Sequence, residues 1–372
     1  MVIDAQILGQ RVAEARQRAG LTQAEMAAEV RLDRSALAKV ELGARRLSAL
    51  ELSRIAAALE ERVEWFLQEV PEAIASHRNM TDPGQASPQI DKEIERRARE
   101  VEFVAQGDAG LNLVEMAARS MPADAEGAES LATEARVLMG ISPDGPLRSL
   151  ERHALKVGVV PFVTELGTDS ADAASILLKR GAVAVVNGSL KVGRRRIALA
   201  HELGHVLVAD DYTVDWRVAA EDSVERREGR LDRFARALLL PAASVESDWR
   251  RYAEGADGDL RTAVVRIASE YRVDMATLAR RLRELRLIGS GEAAHVRSIR
   301  TVRADIVELD LVVGEELLPD QLPREYVAAV LHLYRSELVS QERALELLFG
   351  AWAVSDLPVL PPRSAEEIWQ YV

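Results

Sequence analysis

The sequence contains no cysteine. This absence excludes disulfide bonds, thiolate nucleophiles and cysteine-type zinc sites, so any metal must be bound by histidine, aspartate or glutamate. It also favours a reducing compartment, and we expect the protein to act in the cytoplasm. The sequence has no run of about 18 consecutive apolar residues, and its first residues carry no basic and apolar leader. We therefore expect a protein that is neither secreted nor embedded in a membrane.

Lysine and aromatic residues are scarce, and acidic residues outnumber basic ones. Only 5 of the 48 basic residues are lysine, aromatic residues make up 4% of the chain, and the formal net charge is −12. Such an acidic balance argues against a protein that coats nucleic acid over its whole surface. It does not exclude one local basic patch, so the positions of the basic residues decide whether part of the chain could bind nucleic acid.

The length and the element pattern predict several domains. At 372 residues, with 48% apolar and 29% charged residues, the chain is an ordinary globular protein too long for one core. We predict a mainly α fold that includes one α+β domain. Its predicted parts are a helical bundle (1–70), a linker with a helical segment (71–130), the α+β domain (131–290) and a helical C-terminal accessory region (291–372).

Short β-rich runs alternate with longer helical patterns in the second half of the chain. The runs at 157–163, 175–179 and 182–189 predict strands, with Arg180 and Gly181 as a hairpin turn between the last two. Alternation of apolar and polar residues predicts a further strand over 300–313. The apolar periodicity predicts helices over 195–208, 223–240 and 323–349.

Two capping boxes mark helix starts in the N-terminal bundle. Thr22 stands three positions before Glu25, Ser48 stands three before Glu51, and each pair precedes an apolar-periodic run. Between these starts the pattern predicts a helix over 22–29, a turn over 30–32, and a second helix over 33–42 that ends at Gly43. This order of elements is helix-turn-helix geometry.

The outward face of the second predicted helix carries side chains suited to reading DNA bases. These candidates are Arg34, Ser35, Ala36 and Lys39. Residues 31–46 contain five basic and two acidic side chains, a local excess of +3 in an acidic chain, as a phosphate-binding surface requires. On spacing alone, a plain helical bundle with solvated charges remains an equal alternative.

The segment GLTQAEMAAEVRLDRSALAKVELGARRLSALELSRIAAAL resembles the helix-turn-helix of the XRE/Cro-type repressors. The motifs that carry the resemblance are L-T-Q-x-E-x-A, the E-x-G after the second helix, and the trailing L-x-x-I-A-x-A-L. The resemblance implies binding to a double-stranded DNA operator, with Gln23 on a phosphate and the four candidates above facing bases. It also implies a homodimer, because such domains commonly bind two-fold sites.

Residues 201–205 read His-Glu-Leu-Gly-His within an apolar-periodic helical pattern. Residues four apart on a helix share a face, so His201 and His205 can reach one tetrahedral Zn²⁺. Glu202 would then lie beside the metal, where it can accept a proton from a bound water. A solvated helix with two spare histidines is the weaker alternative, because two of only six histidines fall within five residues.

A hydrolytic zinc site needs a third protein ligand, which here should be a carboxylate. Downstream candidates are Asp210, Asp211, Asp215, Glu221, Asp222, Glu225, Glu228 and Asp232. Periodicity favours Glu228, which shares an apolar helix face with Leu231, although a solvated helix charge explains it equally well. Asp232, one turn further on, could orient a ligand through a hydrogen bond.

The same region resembles the ImmA/IrrE family of zinc metallopeptidases. The resemblance rests on RRRIALAHELGHVLV and on E-x-x-L-x-x-F-A-x-x-L-L-L-P, and it extends over about 160 residues of similar organisation. It implies a zincin-like α+β fold in which His201, His205 and Glu228 bind Zn²⁺ and Glu202 is the general base. Leu231, Ile197, Ala198 and Leu240 depart from the usual family residues, and none of these departures removes a ligand.

The resemblance implies peptide-bond hydrolysis of another helix-turn-helix repressor, which would derepress stress-response or mobile-element genes. The alternative is a transcription regulator whose zincin-like domain senses a ligand or partner without useful hydrolysis. As a further hypothesis, the strand AVAVVN at 182–187 could accept an extended substrate as an added β-strand.

Overall fold

The computed structural model describes most of the chain, in segments separated by short gaps. The described residues are 4–59, 63–67, 75–78, 88–107, 110–111, 113–114, 117–167, 170–208, 221–255, 258–311, 314–319 and 321–360. The chain divides into two compact units, Met1–Glu72 and Ala73–Val372. Among the described helices, none combines the length and the apolar character that crossing a bilayer requires.

Short helices make up the N-terminal unit, and the predicted helix-turn-helix lies among them. Both capping boxes form: the Thr22 hydroxyl accepts a hydrogen bond from the Glu25 amide, and the Thr22 amide donates to the Glu25 carboxylate; Ser48 and Glu51 repeat this exchange. The helices are α1 (Ala5–Arg18), α2 (Gln23–Glu29), α3 (Arg34–Glu41), α4 (Ala49–Ala58) and α5 (Val63–Leu67).

A small apolar core fixes how α2 and α3 pack. Met26, Leu37 and Val40 are buried, and Ile55 from α4 joins them in this core. Gly43 follows α3 with φ at +72°, and an added Cβ would lie 2.6 Å from the Cα of Gln6. Glycine is therefore required there for both conformation and space, and α3 ends where predicted.

The second unit places helices on both sides of a four-stranded sheet. Its strands are β1 (Ala75–Arg78), β2 (Val159–Thr164), β3 (Ala173–Leu177) and β4 (Ala182–Asn187). Its α-helices are α6 (Pro88–Gly107), α7 (Ala125–Leu138), α8 (Leu150–Lys156), α9 (Val192–Leu207), α10 (Glu221–Leu239), α11 (Ala242–Tyr252), α12 (Leu260–Tyr271), α13 (Met275–Glu284), α14 (Ser290–Ser298), α15 (Arg303–Glu308), α16 (Arg324–Arg335) and α17 (Gln341–Leu347).

The strand order is β1-β3-β4-β2, which places β4 inside the sheet. It pairs in parallel with β2 on one side and antiparallel with β3 on the other. The hypothesis that AVAVVN accepts a substrate strand is therefore wrong, because both edges of β4 already pair with the chain's own strands. The predicted turn at Arg180 and Gly181 is confirmed, since Leu178 and Gly181 close it by a backbone hydrogen bond.

Both faces of the sheet are buried, because alternate residues of each strand point to opposite sides. Val183 and Val185 of β4 pack in one core with α6 and α16, whereas Ala184 and Val186 pack in the other with α9 and α10. The predicted linker helix and the C-terminal helices thus cover the sheet face opposite α9. The finer division of this unit at residues 130 and 290 stays a proposal.

The strand predicted over 300–313 is wrong: residues Arg303–Glu308 form helix α15, and residues 312–313 lie outside the described part. Asp305 explains the difference, because its carboxylate accepts the backbone N–H of Val302 at 2.7 Å and caps the helix start. Arg261 from α12 binds the same carboxylate at 2.5 Å. The alternating segment therefore forms a short helix whose first turn is held by Arg261, a residue distant in sequence.

A buried glutamate of the C-terminal region anchors the central helix α9. The Glu316 carboxylate accepts hydrogen bonds from Arg196 of α9 and from Arg272, the latter at 2.6 Å. Glu316 and Arg196 are both almost fully buried. Because removing Glu316 would leave the buried guanidinium of Arg196 without its carboxylate, this contact fixes α9 against the C-terminal region.

Candidate metal centre and DNA-binding surface

The two histidines of the His-Glu-Leu-Gly-His segment lie on one buried face of α9. Their Nε2 atoms are 3.0 Å apart, and the Glu228 Oε2 of α10 lies 3.1 Å from His201 Nε2 and 3.5 Å from His205 Nε2. Three ligands at tetrahedral zinc distances would have donor atoms about 3.3 Å apart. The observed spacings of this three-residue set therefore fit a single Zn²⁺.

Electrostatics agree with a carboxylate ligand at Glu228. Burial alone would raise the pKa of Glu228, but hydrogen bonds to His201 and His205, together with their charge, outweigh it. The net result holds the pKa of Glu228 below its usual range. An ionised carboxylate and two imidazoles form the donor set that a hydrolytic zinc site uses.

The other candidate carboxylates divide into two groups. Asp210, Asp211 and Asp215 lie outside the described residues, as do the side chains of Glu221, Asp222 and Glu225. Asp232, one turn after Glu228 on α10, places its Oδ1 3.1 Å from His201 Nδ1. At this distance a carboxylate can orient the ring of a histidine that binds metal, and this role of Asp232 stays a prediction.

Glu202, the residue after His201 on α9, is fully buried and is held by a residue that the sequence did not indicate. The hydroxyl of Ser175 in β3 donates to Glu202 Oε2 at 2.6 Å. Glu202 Oε1 makes no hydrogen bond to the described residues. One oxygen is thus fixed while the other retains its lone pairs, which is the arrangement a proton acceptor needs. The only signal for Ser175 was a polar residue in an otherwise apolar strand.

Gly204 lets α10 approach the histidine helix closely. A Cβ at Gly204 would lie 2.9 Å from Phe234 and 3.2 Å from Leu231, both buried residues of α10. Glycine is therefore required at this position for space. It matters for the site because α10 is the helix that carries Glu228.

The predicted base-reading side chains lie together on α3. Arg34, Ser35 and Lys39 are exposed, and Ala36 is half-buried. Gln23, predicted to contact a phosphate, donates through its amide to Glu41 Oε2 at 2.7 Å. Glu41 also binds Arg16 at 2.6 Å, so it ties α1, α2 and α3 together. The DNA contacts of all five predicted residues stay predictions.

Two family models match separate parts of the chain. One, described as helix-turn-helix, matches residues 12–66, and the other, the IrrE N-terminal-like domain of the M78 peptidases, matches residues 156–283. The chain joins an XRE-type helix-turn-helix domain to an IrrE/ImmA-like domain. Both resemblances predicted from the sequence are thereby confirmed. A comparison with curated proteins finds no match.

The matched ranges contain the candidate residues of each domain. Arg34 and its neighbours on α3 lie within the helix-turn-helix match, and His201, His205 and Glu228 lie within the IrrE-like match. The chain is thus a DNA-binding regulator with a protease-like domain. The His/Glu cluster lies within the range that matches a peptidase family.

Proposed function

We propose that the protein is a zinc-dependent metallopeptidase that binds an operator through its helix-turn-helix domain and cleaves a repressor protein. The observation that carries the proposal is the convergence of the ligand atoms of His201, His205 and Glu228 at one point of the domain. The repressor would itself be an XRE-type protein, and its cleavage would derepress stress-response or mobile-element genes. A chain that binds DNA and has no cysteine would act in the cytoplasm.

In this mechanism each side chain has one task. His201, His205 and Glu228 would hold Zn²⁺, which supplies Lewis-acid polarisation of the scissile carbonyl and lowers the pKa of a bound water. Glu202 would accept the water proton at Oε1 and later deliver it to the leaving amine. Ser175 keeps the other oxygen of Glu202 in place throughout. Asp232, whose Oδ1 lies 3.1 Å from His201 Nδ1, would orient the ring of His201.

The exposed arginine and lysine of α3 would bind DNA in the major groove, in the manner of a recognition helix. Operators of two-fold symmetry would then bind a homodimer, with each copy occupying one half-site. Localisation at an operator would raise the local concentration of peptidase beside its repressor target. Operator sequence and dimerisation are accessible by footprinting and by light scattering of the complex.

The decisive experiment is Glu202→Gln in the full chain. The neutral amide keeps the volume of the side chain but cannot accept the water proton, so zinc content and operator binding should be retained while repressor cleavage is lost. Metal analysis, a DNA-binding assay and cleavage of repressors from neighbouring genes measure the three properties. If cells carrying Glu202→Gln regulate their target genes normally, the domain acts as a metal-held sensor and the peptidase proposal is wrong.

A further inference from the structure

The outer edge of β3 is covered by a short strand from the segment that follows the N-terminal unit. Strand β1 pairs antiparallel with β3, and Ser76 stands opposite Ser175 in the register. Since β4 pairs with the other edge, β3 has partners on both sides. Four residues of the predicted linker therefore complete the sheet at this rim.

This rim borders the strand that contacts Glu202. Ser175, whose hydroxyl holds Glu202, lies in β3, and α9 contacts both β3 and β1. The outer edge of β2 lies two strands away from β3, a distance of about 10 Å at ordinary strand spacing. An extended peptide bound by main-chain hydrogen bonds would reach Glu202 from the β3 side and not from the β2 side.

We propose that the outer edge of β3 is a binding site for an extended peptide segment, and that residues 75–78 of the same chain occupy it as a competitor of the substrate. The competition with a substrate rests on the proposed peptidase function, whereas the occupancy of the edge by residues 75–78 does not. A free substrate must displace β1 before its backbone can pair with β3. Residues 75–78 thus exclude peptides that would bind through backbone pairing alone.

The covalent connection gives the segment an advantage over any free peptide. Only nine residues separate Arg78 from Pro88, where helix α6 begins. Short tethers of this kind give effective concentrations on the order of millimolar. A free peptide of equal intrinsic affinity must therefore reach a similar concentration to compete, and a specific substrate needs contacts beyond the shared backbone pairing.

The test removes the pairing without touching β3. In Ser76→Pro/His77→Pro the two successive prolines lack N–H groups, and one of two neighbouring positions always points its N–H at the partner strand. The matched control, Ser76→Thr/His77→Val, keeps both N–H groups and raises strand propensity. Both pairs are made in the full chain carrying Glu202→Gln, so that binding is measured without hydrolysis.

The probe is a fluorescent synthetic peptide of residues 72–81, EAIASHRNMT, followed by anisotropy. We expect it to bind the proline variant at least tenfold more tightly than the parent or the control, and a scrambled peptide not to bind. Hydrogen exchange should show faster exchange in β3 of the proline variant and unchanged exchange in the N-terminal unit. Equal binding by all three chains, or no binding to the proline variant, would overturn the proposal.

Kinetics separate this inference from the proposed function. In chains that retain Glu202, the proline pair should lower KM for the repressor at least severalfold with kcat unchanged, which is the signature of a removed competitor. A vacated edge that binds the peptide in a chain that cleaves nothing would refute the peptidase and leave the occupancy intact. Cleavage with KM unaffected by the prolines would refute the competitor role alone.

Discussion

Replacing Ser175 by alanine is the sharpest test of how the candidate site is built. The substitution removes the 2.6 Å hydrogen bond to Glu202 Oε2 in an environment where both residues are buried. Since Glu202 Oε1 has no partner among the described residues, the carboxylate would lose its one assigned hydrogen bond. A hydrogen bond to a charged group contributes about 1.5 to 3 kcal/mol, so Ser175→Ala should destabilise the IrrE-like domain by that amount.

The assay is hydrogen exchange of the amides in β3 and α9, measured in metal-free protein at neutral pH. A global unfolding curve is unsuitable, because two compact units need not unfold in one transition. The expected loss corresponds to exchange about ten to a hundred and fifty times faster in the segments protected by this packing. Amides of the helix-turn-helix unit supply an internal control, and their exchange should not change.

A double-mutant cycle shows whether the loss belongs to the hydrogen bond. The second background is Glu202→Met, in which the side chain keeps its length but offers only a weak sulfur acceptor, so the Ser175 hydroxyl is left buried without its carboxylate partner. Removing that hydroxyl should then be nearly neutral or slightly stabilising. If Ser175→Ala costs the same in both backgrounds, within about 0.5 kcal/mol, the two side chains are not coupled and the reasoning fails.

Three further predictions concern metal, DNA and pH. His205→Ala should abolish zinc binding, whereas the exposed His295→Ala should retain about one zinc per chain by metal analysis; equal content in both would refute the site. Arg34→Ala should weaken operator binding by about 1 to 3 kcal/mol and relax preference at one base, whereas the exposed Arg250→Ala should not. Hydrogen bonds from the Ser48 amide and Arg45 lower the pKa of Glu51 from 4.5 to about 2. Because folding lowers this pKa, the stabilisation by Glu51 is complete above about pH 5 and is lost towards pH 2; Glu51→Gln should flatten this dependence in an NMR titration.

Local spacing explains which parts of the site could be predicted from the sequence. His201 and His205 are four residues apart on a helix, so one helical turn places both imidazoles on the same face, and their Nε2 atoms lie 3.0 Å apart in the structure. The capping boxes at Thr22 and Ser48 are local in the same way, and both form as predicted. The position of Glu228 depends on how a second helix packs against α9. From spacing alone, a metal ligand and a solvated helix charge were equally good interpretations of this residue.

Ser175 could not be predicted, because its role depends on the sheet. A serine in a strand can face either side, and the side is set by the register with β4 rather than by its neighbours in sequence. In this sheet both faces are buried, so the apolar pattern of β3 gives no information about which face meets α9. Only the three-dimensional pairing brings its hydroxyl to Glu202.

The misread strand at 300–313 has the opposite cause, since a non-local contact overrides a local pattern. The alternation there is compatible with a strand, yet this segment pairs with none of the four strands of the described sheet. Asp305 instead caps a short helix while it binds Arg261. The conformation of the segment depends on Arg261 of α12, which binds Asp305. Apolar periodicity carries no information about such a distant contact.

Strand β1 shows how an edge can impose structure on a weak sequence. Ala-Ser-His-Arg contains no strong strand former and lies in a stretch that the sequence marks as a linker. An uncovered β3 would expose its unpaired N–H and C=O groups, and pairing with residues 75–78 satisfies them. Backbone hydrogen bonds lie in the plane of the sheet, whereas the side chain of Ser175 projects out of it towards Glu202. A peptide that replaces β1 can therefore bind the same edge while Ser175 continues to hold Glu202, so occupancy of the edge and assembly of the site are separable properties of one strand.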